Sequence, residues 1–277
     1  MFKRVLVPID SSRSSLRALK PAKAFAEATG AELAVATVLF TEVIDESERR
    51  EALRARVEDT GTTPDDVLIR LNSVSVENAL HDLMDDDTLV VLASPGHSHT
   101  QRFLGNVSEE IVHQREAGLS VIVGPNVEVD SYTLNGAVFG CVDPQGESDT
   151  LLDAVARISI ELNLAPWLIS VGEEVRVQAG ASSLPGHHLP LETNQLHALA
   201  GELEARGTAT VNYDVLHSNH PAKEIVRFGQ TRDAVLLAVS TRERSGLDRL
   251  LFGSVAIDVV KHATVPVLAV HQEGNKQ

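Results

Sequence analysis

The feature of this sequence that most restricts its fold is an alternation that runs its course twice. Short apolar runs rich in β-branched residues (RVLVPI at 4–9, ELAVATVL at 32–39, DVLIRL at 66–71, TLVVLA at 88–93 and SVIVG at 120–124) are separated by longer amphipathic stretches. A second set follows in the same rhythm: AVFGCVD at 137–143, APWLISV at 165–171, ATVNYDVLH at 209–217, AVLLAVS at 234–240 and PVLAVH at 266–271. Runs this apolar suit strands covered on both faces, and helical segments between them supply the right-handed crossovers of a parallel sheet. Asp10 and Asp143 stand 133 residues apart, as do Val38 and Val171, so the chain reads as an internal duplication. The expected fold class is α/β: two tandem five-stranded parallel-sheet sandwiches, one over 1–127 and one over 133–277. The polar stretch NVEVDSYT joins them. Gly105 and Gly253 are offset by 148, and the extra residues fall mostly in GEEVRVQAGASSLPGHHLPLE at 172–192, whose Gly, Ser and Pro content predicts an exposed insertion.

The helical segments carry their own signals. Leu16, Leu19, Ala22 and Ala26 recur at three- and four-residue steps with Gly30 as a stop, although Pro21 must begin or bend that helix. Leu151, Val155, Ile158 and Leu162 form one apolar stripe, and Phe252, Ala256, Val259, Val260 and Ala263 another. Pro8 falls near the end of the first strand, where a missing ladder donor matters least.

Composition narrows the function. With 24 Lys and Arg against 39 Asp and Glu, the formal net charge of -15 argues against nucleic-acid and anionic-membrane partners. No stretch reaches the length of a membrane span, and the apolar run at the amino terminus is too short for a signal peptide, so a cytoplasmic location is expected. Cys141 is alone and lies within an apolar run, which predicts an inert buried thiol. The histidines, His97 and His99 and the pair His187 and His188 among them, form no metal-ligand pattern, and no metal is expected except Mg²⁺ accompanying a nucleotide. No Ser, His and Asp constellation or GxSxG elbow stands out, so no catalytic residue is assigned and an enzyme is not expected.

Ligands of open α/β sheets gather at the carboxyl ends of strands where strand order reverses. Neither GxGxxG nor GxxxxGK[ST] is present, which excludes the familiar dinucleotide and P-loop sites. Asp10 in PIDSS and Asp143 in VDPQGES end the first strand of each half, as helix caps, as ligand contacts or as both. SPGHSHTQRFLGNV and STRERSGLDRLLFGSV each lead from a fourth strand to a helix, where glycine permits close approach and free amides favour an anion. A plain helix start, capped by Asn106 or Ser254, is the alternative there.

Over almost the whole chain the two halves resemble tandem universal stress protein domains, on VPID at 7–10, FGCVD at 139–143, SGLDRLLFGSV at 245–255 and VPVLAV at 265–270. The resemblance implies strand order 3-2-1-4-5 in each half, pairing of the halves through Val121 to Val123 and Val267 to Val270, and a stress-response binding or regulatory role. In one branch it also implies an ATP site with Gly-x2-Gly-x9-Gly-[Ser/Thr] after the fourth strand, an Asp ending the first strand and a Val ending the second. Carried over, these give Pro8, Asp10, Val38, Gly96, His97, Gly105, Asn106 and Val107 in the first half, and Asp143, Val171, Gly253 and Ser254 in the second. Ser240 and Glu243 stand where the second half should have glycines; the first-half loop is a residue short and Asn106 replaces the hydroxyl. The first half is therefore the better candidate for ATP or a related nucleotide. A nucleotide-independent scaffold and a slow ATP hydrolase are the alternatives, and a homodimer through the last strands is expected in addition to the internal pairing.

Overall fold

The computed structural model of the protein describes residues 1–39, 45–71, 76–94, 119–172, 189–243, 250–251 and 253–272. The first half contains β1 (Arg4–Pro8), α1 (Leu19–Thr29), β2 (Glu32–Leu39), α2 (Glu46–Glu58), β3 (Asp66–Leu71), α3 (Val76–His81), β4 (Thr88–Ala93) and β5 (Leu119–Val123). The second contains β6 (Ala137–Cys141), α4 (Asp149–Leu162), β7 (Ala165–Gly172), α5 (Leu189–Ala205), β8 (Asn212–His217), α6 (Pro221–Thr231), β9 (Ala234–Glu243), β10 (Leu250–Leu251), α7 (Ser254–His262) and β11 (Val267–Gln272). Eleven strands form one sheet in the order β3-β2-β1-β4-β5-β11-β9-β6-β7-β8, with β10 beside β9. Each half thus has the order 3-2-1-4-5, as the resemblance implied, and β2 and β7 share the offset of 133 along their full length.

Pairing is parallel within each half, apart from the short β10, and antiparallel where the halves meet, with Val267 opposite Ile122, Leu268 opposite Val121 and Ala269 opposite Ser120. That register also sorts the core. Val121 and Leu268 face the layer of α1 and α4, while Ile122 and Val267 face the layer of α6 and α7, and both hydrophobic layers continue across the seam. Burial of a side chain such as Ile122 contributes roughly 1.5–3 kcal/mol. β5 lies between β4 and β11, and β11 between β5 and β9, so the last strands have no free edge. The homodimer expected through those strands is corrected accordingly: the edge pairing is internal, and a second copy would have to use another surface.

Three local outcomes refine the sequence reading. Pro21 stands in the first turn of α1, where its missing donor is not needed, and a 3-10 turn over Ser15–Ala18 feeds the helix. Gly30 ends α1 in the left-handed region at φ 68°, the residue suited to that cap. The insertion is shorter than 172–192, because Gly172 completes β7 and Leu189 to Glu192 already belong to α5; residues 173–188 lie outside the described residues, as does Phe252.

The connector is fixed to both halves. Arg17 donates to the carbonyls of Gly124, Pro125 and Val127 at 3.1, 3.1 and 2.9 Å, and Asn126 donates to the Lys261 carbonyl at 2.7 Å. Directly between the halves, Glu161 accepts from the Phe2 amide at 2.5 Å and Arg157 donates to the Asp86 carbonyl at 2.7 Å.

Candidate functional site

The turns after β1 and β6 have the same construction. Asp10 Oδ1 accepts from the Ser12 amide at 2.9 Å and the Ser12 hydroxyl at 2.6 Å, and Asp143 Oδ1 accepts from the Gln145 amide at 3.1 Å. Five residues after each aspartate a serine hydroxyl returns to its carbonyl, Ser15 at 3.4 Å and Ser148 at 3.5 Å. Each aspartate closes an Asx-type turn. Neither caps a helix: the N-cap residues of α1 and α4 are Ala18 and Ser148, and neither helix has a side-chain cap. Both aspartates are exposed at the carboxyl edge of the sheet.

Burial works against the ionised form of Asp10, but the Ser12 hydroxyl and amide, Ser15 and the Arg56 guanidinium outweigh it and hold the carboxyl below its ordinary range. Arg56 comes from α2 and also donates to the Asp10 and Ser12 carbonyls at 2.6 and 2.5 Å. Sequence reading missed this clasp, since nothing marked a guanidinium 46 residues away as a partner.

In the second half a crevice of about 410 Å³ opens at the carboxyl edge between β6, β7, β9, α6 and α7. It brings together Asp143, Val171, Gly253 and Ser254, all four of the residues assigned to that half. Sequence reading missed Ile169, Val239, Pro221 and Ile225, which supply much of its apolar lining. Pro221 at the first turn of α6 was the available signal, a helix start facing the edge. Cys141 also lines the crevice, half-buried where a buried thiol was expected, and the apolar surroundings push its thiol up to about 12.

Gly253 precedes α7 at φ -54° and ψ 150°, with no side-chain cap on the helix. A Cβ there would meet nothing within 4 Å. The fold itself does not require this glycine. What its small size does is keep the first turn of α7, with its free amides, open to the crevice.

The approach to α7 departs from a glycine loop. β9 runs past Ser240 to Glu243, and Leu250 and Leu251 pair back on Glu243 and Arg242. Arg242 also pairs with Gln272, so β10 takes the edge of β9 that β6 occupies lower in the sheet, beyond the end of β6. In the first half, Pro8, Asp10 and Val38 sit at the ends of β1 and β2, while Gly96, His97, Gly105, Asn106 and Val107 lie outside the described residues. Among the described residues no group of three or more His, Cys, Asp and Glu could hold a metal ion, and no helix is long and apolar enough to cross a membrane.

Known proteins share this architecture. A crystallised universal stress protein from Archaeoglobus fulgidus superposes with a TM-score of 0.65 over 97% of this chain and 98% of its own, at 19% identity. A functionally unknown Pseudomonas aeruginosa protein, PA1789, gives 0.60 over 98% and 92%, at 15% identity. By sequence, Universal stress protein MJ0531 of Methanocaldococcus jannaschii is 48% identical over 50 residues, 18% of this chain and 29% of that protein, so the match spans less than a third of that relative's length. Universal stress protein YxiE of Bacillus subtilis is 27% identical over 47% of this chain and 94% of its own. A model of the Universal stress protein family matches residues 1–59 and 138–271, taking in the first strand and aspartate turn of each half and the whole second-half crevice. With that match, the repeated strand order and the paired aspartate turns, the chain belongs to the Universal stress protein family.

Proposed function

We propose that the protein is a binding and regulatory module that takes an adenine nucleoside or nucleotide at the carboxyl edge of its sheet, and that its two halves, 1–127 and 133–277, each carry one seat. The observation that supports this best is the convergence of Asp143, Val171, Gly253 and Ser254 on one crevice of ligand size. The apolar walls suit a base, the aspartate turn suits ribose hydroxyls, and the uncapped first turn of α7 suits a phosphoryl group. The first-half seat is proposed on its counterparts Pro8, Asp10 and Val38, with Gly96, His97, Gly105, Asn106 and Val107 toward the phosphates and Mg²⁺ entering only with a nucleotide. The role is binding, with no catalytic residue assigned.

The test is thermal unfolding with adenosine, AMP, ADP or ATP at millimolar concentration, because a ligand that binds the native state raises the midpoint. AMP is expected to raise it, and to raise it less in Gly253→Trp, which places an indole in the crevice. No change with any of the four would overturn the reading and leave a nucleotide-independent scaffold.

A further inference from the structure

A second hollow, of about 200 Å³, lies beside the crevice, between the start of α6 and α7. It shares Pro221, Ser254 and Val255 with the crevice, but its chemistry differs. His220 and Lys223 from the start of α6 line it, facing Asp258 and His262 from α7. Among the described residues no group of three or more His, Cys, Asp and Glu could hold a metal ion, so these imidazoles offer hydrogen bonds and charge.

Lys223 stands in the first turn of α6, with His220 at its N-cap. The amino end of a helix disfavours cations, so a base there does not serve the helix, whereas an anion held between α6 and α7 would favour it. His262 suits the same task. Its Nδ1 lies 2.7 Å from the Asp258 carbonyl oxygen, which can only accept, so Nδ1 carries a proton and Nε2 is the nitrogen that gains one. The acidic groups nearby have cations of their own: Asp258 lies 3.6 Å from the Lys261 ammonium, and Glu224, beside Lys223, is held by Arg227. Lys223 and Asp258 offset one another in the lining. Histidines change charge between about pH 5 and 8, which turns this near-neutral lining cationic as pH falls.

We propose that this hollow is a seat for a tetrahedral oxyanion, a phosphoryl or sulfuryl group, held by Lys223 and His262 with His220 and Ser254 at its rim and strengthened by acid. The group is either a free anion or the phosphoryl end of a ligand seated in the crevice, since the two cavities share a wall. Sulfate is the probe, because its charge is the same at pH 6 and pH 8. Imidazole resonances of the full chain, followed by NMR in sodium chloride of matched ionic strength, report the binding, with the His262 signal identified by its loss in His262→Gln.

Sulfate at pH 6 is expected to shift that signal saturably, and half-saturation at pH 8 to need at least about threefold more sulfate. Lys223→Gln, at an exposed position, is expected to weaken binding at pH 6 by about threefold or more. No saturable shift at pH 6, or an unchanged affinity in Lys223→Gln, overturns the seat; equal affinity at the two pH values overturns the part given to the imidazoles. ADP added at pH 6 to the parent and to Gly253→Trp, whose indole enters the crevice, separates the sources. Displacement of sulfate in the parent alone shows a phosphoryl end reaching over from the crevice, and displacement in both or in neither shows a seat used independently of it. Sulfate binding needs no nucleotide, so its failure leaves the nucleotide reading to its own test.

Discussion

At the scale of single residues, glycines separate structural from functional demand. A Cβ on Gly124 would stand 2.2 Å from the Val260 carbonyl oxygen, across the seam and against backbone that cannot swing aside. Gly253 has open space and a negative φ. Gly124→Ala is therefore expected to cost about 2 kcal/mol or more, as overpacked sites do, and Gly253→Ala to stay within about 0.5 kcal/mol. Urea denaturation of the two variants beside the parent checks this, and equal losses would contradict the contrast. Sequence alone could not draw the distinction, since Gly124 in SVIVGPN reads as an ordinary strand end. Gly253 was singled out for its place before a helix, and the open space around it shows that packing does not require a glycine there.

At the scale of elements, the strands were legible because their apolar runs are covered on both faces: β2, β3 and β4 occupy the residues expected of them, and β7 exceeds its run by Gly172 alone. The β9–β10 ladder was not legible. Thr241, Arg242 and Glu243 carry no apolar pattern, and a strand of two leucines offers no period. The aspartate turns were half legible: position was read correctly, but capping was one of the two readings and the structure shows closed turns. Hydrogen bonds and Arg56 leave the Asp10 carboxyl below its ordinary value, so it adds stability above the unfolded value of about 3.9 and loses it as pH falls through the lower folded value. Asp10→Asn should destabilise the protein at pH 7 by less than about 1 kcal/mol, the range for exposed charge pairs. In chemical denaturation that difference should shrink toward pH 3, and a difference that grows with acidity would contradict the turn's electrostatics.

At the scale of the whole molecule, duplication explains why so much of the chain is interior. Two open sheets would each leave a hydrophobic edge strand, and joining β5 to β11 removes both. The two core layers cross that seam, and Asn126, Arg157 and Glu161 tie the halves together across it. Unfolding is expected to be a single cooperative transition. Trp167, the sole tryptophan, reports only the second half, so its fluorescence midpoint should coincide with that of far-UV circular dichroism, and two resolved midpoints would show halves that unfold apart. The central claim is that the crevice beside Asp143 and Gly253 is a ligand seat. Mass spectrometry of peptides photo-crosslinked to 8-azido-AMP reads that seat directly. Crosslinks that unlabelled AMP suppresses are expected on peptides carrying the crevice lining, Asp143, Val171, Pro221 and Gly253 among them, and crosslinks confined to other peptides would place the ligand elsewhere.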